Sequence, residues 1–165
     1  MTWLVLLLLL LNITSVAPAN DACEPSPCND GKTCFRVDGG FECRCIDIVN
    51  DGNITSPNYP QDYPEYFDKC YLIIGRPGQN TKLSVNGQYC IEDGDGFSPA
   101  YCTKLYTGDS WCYYDYLMLQ GVRYCGGAPP TPIIVPTGEN TTVRFYSDYS
   151  STFTGFHLSI TYTDV

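Results

Sequence analysis

The chain has 165 residues, with 10 cysteines, 14 tyrosines, one histidine, and 9 basic against 18 acidic side chains for a formal net charge of -9. A single histidine excludes zinc chemistry built on two imidazoles, and the acidity sets the chain against the phosphate backbone of nucleic acid. Cysteine at this density in so short a chain points to disulfides in an oxidising compartment rather than to metal ligands.

Residues 1–19 read as a secretory signal peptide. Leu4 to Leu11 is an unbroken apolar run too short to cross a bilayer, and Ala17-Pro18-Ala19 is a small-x-small cleavage pattern, with cleavage expected after Ala19. Only Met1, Thr2 and Trp3 precede the apolar run, so the usual positive n-region is missing. No later segment is apolar enough to span a membrane, and the polar end Ile160 to Val165 lacks a lipid-anchor tail. The expected product is secreted and soluble.

In residues 20–45, Cys23, Cys28, Cys34, Cys43 and Cys45 follow C-x4-C-x5-C-x8-C-x-C among Pro25, Pro27, Gly31, Gly39 and Gly40. Apolar side chains are too few for a core, so disulfides must hold this segment. The spacing resembles that of the EGF-like module. That resemblance implies bonds from Cys23 to Cys34 and from Cys28 to Cys43, with Val37 to Phe41 at the tip of a hairpin, where glycines suit positive φ. The family's sixth cysteine is missing between Ile46 and Lys69, which leaves Cys70 as the next partner. Calcium-binding members carry an acid before the first cysteine and an Asp or Asn two residues after the third. Here Asp21 meets the first condition and Arg36 breaks the second, so Asp21 reads as a solvated charge.

From residue 52, within a second segment that runs over 46–165, the texture becomes short apolar alternations between Gly, Pro, Asn and Asp: Tyr71 to Ile74, Leu83 to Val85, Leu117 to Leu119, Thr142 to Tyr146 and Phe156 to Tyr162. No stretch keeps a helical period for three turns, so the predicted fold is all-β, an antiparallel sandwich or barrel. In the last strand Phe156, Leu158, Ile160 and Tyr162 share one face, which leaves His157 on the other, exposed and incidental.

The words Gly52-Asn-Ile-Thr-Ser-Pro-Asn-Tyr-Pro60, Asp62-Tyr-Pro64, Cys70, Cys112-Tyr-Tyr-Asp115-Tyr-Leu, Tyr124-Cys-Gly126, Phe145-Tyr-Ser-Asp148 and Gly155-Phe156 occur in the order of CUB domains. This resemblance implies a jellyroll-like sandwich of two antiparallel sheets, with bridges Cys45 to Cys70 and Cys112 to Cys125. Cys45 then serves both as the fifth cysteine of the EGF-like module and as the first of the CUB domain, which limits the freedom between the two. Cys90 and Cys102 are left over. They are expected to pair and to close an insertion over residues 91–101 whose role the sequence does not tell.

A subset of CUB domains binds calcium through one Glu and two Asp, with a Tyr in support. By that resemblance Asp115 and Asp148 are the aspartates, Tyr63 is the tyrosine, Glu92 completes the set and Ser150 or Ser151 offers a further oxygen. Calcium takes six to eight oxygen ligands, so three carboxylates with carbonyls and waters suffice. The third acid stays open: counting from Tyr63 favours Glu92, whereas counting back from Cys112 lands on Thr107, with Asp109 the nearest acid.

Such a site can also accept a lysine from a protein partner. The segment 46–165 carries 13 acidic and 6 basic residues, a balance that would steer a basic ligand. Asn53-Ile-Thr55 and Asn140-Thr-Thr142 are N-glycosylation sequons. The expected function is therefore secreted, non-catalytic and calcium-dependent recognition of an extracellular protein partner that presents lysine. The rivals are an accessory or regulatory piece of an extracellular protease system, a carbohydrate-binding CUB protein of spermadhesin type, and a receptor ligand acting through the EGF-like half.

Overall fold

The computed structural model describes residues 23, 25, 27–94 and 102–165. The signal peptide expected over 1–19, Asp21, and most of the bridged insertion lie outside the described residues. Within them every regular element is a strand, and the strands form three sheets.

The first sheet is a hairpin of β1 (Thr33–Val37) and β2 (Gly40–Arg44), turned at Asp38-Gly39, where Gly39 sits at φ +87°. It carries almost no buried apolar surface, since Phe35, Val37 and Phe41 are all exposed. Covalent ties replace the missing core: Cys23 is bonded to Cys34 and Cys28 to Cys43.

The remaining strands make a sandwich. Its six-stranded sheet runs β3 (Asp47–Val49), β5 (Asp68–Ile73), β11 (Thr141–Tyr146), β8 (Tyr116–Leu119), β9 (Val122–Gly126) and β7 (Leu105–Thr107). Its four-stranded sheet runs β10 (Ile133–Val135), β6 (Gln79–Cys90), β12 (Gly155–Asp164) and β4 (Gly52–Thr55). All pairings are antiparallel except β3 with β5, which is parallel.

Period-two alternation places the core. Ile54, Leu83, Val135, Phe156, Leu158 and Ile160 point inward from the smaller sheet, and Ile73, Leu117, Leu119, Val143 and Phe145 from the larger. Each such side chain contributes about 1.5–3 kcal/mol of burial. Tyr63 enters from the β4–β5 loop and meets Phe145 edge-on, with ring centroids 5.0 Å apart. His157 lies on the outward side of β12, but it is half-buried rather than exposed, with the Tyr59 ring 5.9 Å away.

The cysteine-dense segment is fastened to the outer face of the six-stranded sheet. Cys45 is bonded to Cys70 of β5, and β3 begins two residues later beside the same strand. Next to Cys70 in register, Arg144 is nearly buried, and its guanidinium holds Asp68 through two hydrogen bonds of 2.7 and 2.8 Å. Its third nitrogen reaches Asp30 of the N-terminal segment at 2.6 Å. Gly31 follows at φ +65°, and a Cβ there would lie 2.9 Å from the Cys70 nitrogen. Close approach of the two backbones at this point therefore requires glycine.

Candidate functional site

Three carboxylates meet at one end of the sandwich because each sits just beyond a strand end. Glu92 follows β6, whose direction is kept by the reciprocal Ile91–Gly126 backbone pair at 3.0 and 2.8 Å. Asp115 directly precedes β8, in the loop fixed by the Cys112–Cys125 bond, and Asp148 lies two residues after β11. The Cys90–Cys102 bond closes on the end of β6, two residues before Glu92. Loop 63–67 is tied to the loop after β11 by Tyr63 N–H to Phe153 O at 2.9 Å, Tyr66 N–H to Asp148 O at 2.6 Å, and Ser147 N–H to Phe67 O at 2.8 Å.

Glu92, Asp115 and Asp148 each offer a carboxylate oxygen within 4.8 Å of the others. Asp115 is fully buried, with Oδ2 accepting from the Tyr63 hydroxyl at 2.7 Å and Oδ1 accepting from the Asp148 N–H at 2.7 Å. The Tyr63 oxygen also accepts from the Glu92 N–H at 3.1 Å, so one phenol fixes both acids. Glu92 is 7% exposed, and its Oε2 is buried without a hydrogen-bond partner. Asp148 is half-buried and accepts from the Ser150 N–H at 2.9 Å.

No basic side chain among the described residues forms an ion pair with any of the three. Burial, followed by the Asp115 charge, pushes the Glu92 carboxyl up to about 7, while a hydrogen bond from the Ser151 side chain opposes the rise. Burial pushes Asp115 up to about 6, against the lowering hydrogen bonds from Tyr63 and the Asp148 N–H. Burial also raises the Tyr63 phenol, so it stays protonated and donates. Uncompensated buried carboxylates are costly, and an orphaned buried oxygen adds to the cost. A hard divalent cation relieves both, and an all-oxygen donor set suits calcium. The residues present fit that ion.

Asp109, the alternative third acid, is exposed and pairs with Arg123 at 3.1 Å, and Thr107 lies in β7 opposite Tyr124. Glu92 is the acid that joins Asp115 and Asp148. Ser150 contributes its backbone N–H to Asp148, where a carbonyl oxygen toward the ion was expected. Ser151 beside Glu92 and Tyr114, whose phenol is raised first by its hydrogen bond with Tyr113 and further by the Glu92 and Asp148 charges, complete the surroundings. Ser151 was signalled as the alternative to Ser150 for a carbonyl oxygen, and it meets Glu92 through its side chain instead. Tyr114 was signalled only as the residue before Asp115. Around the acids Tyr66, Tyr149 and Tyr113 expose 78%, 63% and 47% of their surface, an aromatic rim open to a partner. Of the two sequons, Asn53 is exposed on the edge strand β4, and Asn140 lies in the turn before β11, with Oδ1 accepting from Gly75 N–H at 3.0 Å.

Three cysteine bridges brace the sandwich, and three carboxylates meet at one end of it. The chain is similar to Zinc metalloproteinase dpy-31 of Brugia malayi, 30% identical over 142 residues that cover 77% of this chain and 22% of that protein. It is similar to Neuropilin-2 of Homo sapiens, 30% identical over 116 residues that cover 65% of this chain and 11% of that one. It thus spans less than a quarter of the length of these relatives. Among solved structures, the MASP-1 CUB2 domain bound to Ca2+ matches with a TM-score of 0.51 and 25% identity, over 71% of this chain and 98% of that one. The CUB1-EGF-CUB2 domain of human MASP-1/3 matches with a TM-score of 0.58 and 26% identity, over 84% of this chain and 50% of that one. The model of the CUB domain family matches residues 43–160, which span both sheets of the sandwich and all three acids, and the chain belongs to that family.

Proposed function

We propose that the protein is a secreted, non-catalytic adaptor that holds calcium between Glu92, Asp115 and Asp148 and uses that end of the sandwich to bind a basic, lysine-presenting extracellular protein. The observation that carries this reading is the buried, partnerless Oε2 of Glu92 within a cluster of three carboxylates. The similarity to a CUB domain whose structure is described as bound to Ca2+ supports it. Tyr63 is the positioning residue, orienting Asp115 through its hydroxyl and Glu92 through the main chain. When bound, the ion supplies charge neutralisation and fixes the loops that carry Tyr66 and Tyr149. A carboxylate with oxygens facing outward would then accept the ammonium of a partner's lysine, which makes the contact dependent on the ion.

In this reading the N-terminal segment is an EGF-like module that shares Cys45 with the CUB domain. Five disulfides suit an extracellular site, and Asn53 and Asn140 carry glycans. Calorimetry on EDTA-treated protein tests the ion: calcium heat is expected in the wild type and is lost in Asp148→Asn. Retention of a lysine-rich extracellular fraction on the immobilised chain, abolished by EDTA, tests the partner. Retention that EDTA leaves intact would refute the ion dependence. The similarity to Zinc metalloproteinase dpy-31 favours a second reading, an accessory piece of an extracellular protease system. It predicts that the chain competes with such a protease for a common partner.

A further inference from the structure

A groove of about 470 Å³ lies along the seam between the N-terminal hairpin and the outer face of the six-stranded sheet, away from the three acids. One wall is the consecutive stretch Glu42 to Cys45 of β2 and the residue after it. In a strand, alternate side chains point to opposite faces, so a run of four successive residues beside the groove brings the backbone edge of β2 to it as well as side chains. That edge is free. Among the described residues β2 pairs with β1 alone, and no further backbone hydrogen bond occupies its other side.

The floor is a row across three strands. Ile48 of β3, Leu72 of β5 and Thr142 of β11 stand in register on the outer face, and Ile48 is 59% exposed. Cationic groups stand at one end. Thr33 pairs with Arg44, which brings Lys32 beside the Cys45 end of β2. Among the described residues Lys32 is exposed and in no ion pair, whereas Arg44 is paired to Glu42. On a chain of net charge -9, a groove whose only unpaired charge among the described residues is positive selects a carboxylate.

We propose that this groove takes an extended peptide segment of an extracellular partner as a third strand beside β2, with an apolar side chain resting on Ile48 and Leu72 and a carboxylate at Lys32. The free edge supplies main-chain hydrogen bonds, and the floor and Lys32 supply the side-chain preference, which is the division of labour in recognition by strand addition. The surface is separate from the carboxylate end and needs no metal.

Short random peptides displayed on phage, panned against the full chain, test this. The enriched peptide is then labelled with fluorescein and followed by anisotropy. Expected are sequences that alternate apolar residues and carry Asp or Glu near one end, with binding unchanged by EDTA. Lys32→Glu and Ile48→Lys, both surface changes, should each weaken binding by about tenfold, the size of one good interface contact, while Lys32→Arg preserves it. N-methylation of alternate peptide amides should abolish binding in one phase of the alternation and be tolerated in the other. No enrichment of apolar-acidic peptides, equal binding to Lys32→Glu and Ile48→Lys, loss of binding in EDTA, or tolerance of N-methylation at every position would each overturn the proposal.

Discussion

Tyr63 is the hinge of the acidic cluster, since its one oxygen donates to Asp115 and accepts from the main chain of Glu92, and the residue is almost fully buried. Removing that oxygen strands two buried polar groups. Tyr63→Phe should therefore cost about 1–3 kcal/mol in urea unfolding and weaken calcium binding, although the ring itself is kept. The same burial makes the metal-free protein sensitive to pH. Glu92 and Asp115 rise from ordinary values of 4.5 and 3.8 to about 7 and about 6, so between those limits the folded chain binds more protons than the unfolded one. By linkage, their contribution to stability is fully present below about pH 4 and is lost as pH rises through 6 and 7. In EDTA the melting temperature should fall over that window. In calcium the fall should be absent or reversed, because the ion favours the ionised carboxylates.

Strand ends are what bring distant acids together, and this is also where the sequence stopped being readable. Alternation alone located β12, with Phe156, Leu158 and Ile160 inward, and the centre of β11, because long runs against a buried face leave a period-two record. Three-residue strands such as β3, β7 and β10 leave almost none. The parallel pairing of β3 with β5 goes with the Cys45–Cys70 bond rather than with any local pattern. In the site, Asp115, Asp148 and Tyr63 were legible because they sit in short fixed words. Glu92 competed with Asp109 because the bridged insertion breaks any count along the chain. Ser151 meets Glu92 only through the fold. At this scale the core carries the prediction: Leu117 is fully buried between the sheets, and Leu117→Ala should lower unfolding free energy by about 2–5 kcal/mol without abolishing calcium binding in the protein that remains folded.

At the scale of the whole molecule, contacts at the seam hold the N-terminal hairpin segment to the sandwich. Arg144 gives two hydrogen bonds to Asp68 and one to Asp30, and lies 5.3 Å from the ring centroids of both Tyr116 and Tyr146. Loss of Asp68 leaves this cation with the more exposed carboxylate alone. Asp68→Ala should destabilise by about 2 kcal/mol in denaturant unfolding, less than for a fully buried pair because the Asp68 side chain keeps 36% of its exposure. Asp30→Ala should cost less than Asp68→Ala and act chiefly on the N-terminal segment, seen as faster amide exchange in β1 and β2. Tyrosine-sensitised terbium luminescence tests most directly whether the three acids hold a cation, since Tyr63 and Tyr114 border the carboxylates. Excitation of tyrosine should give terbium emission that calcium displaces and that Asp148→Asn abolishes; equal emission from wild type and Asp148→Asn, or emission that calcium does not displace, would contradict it.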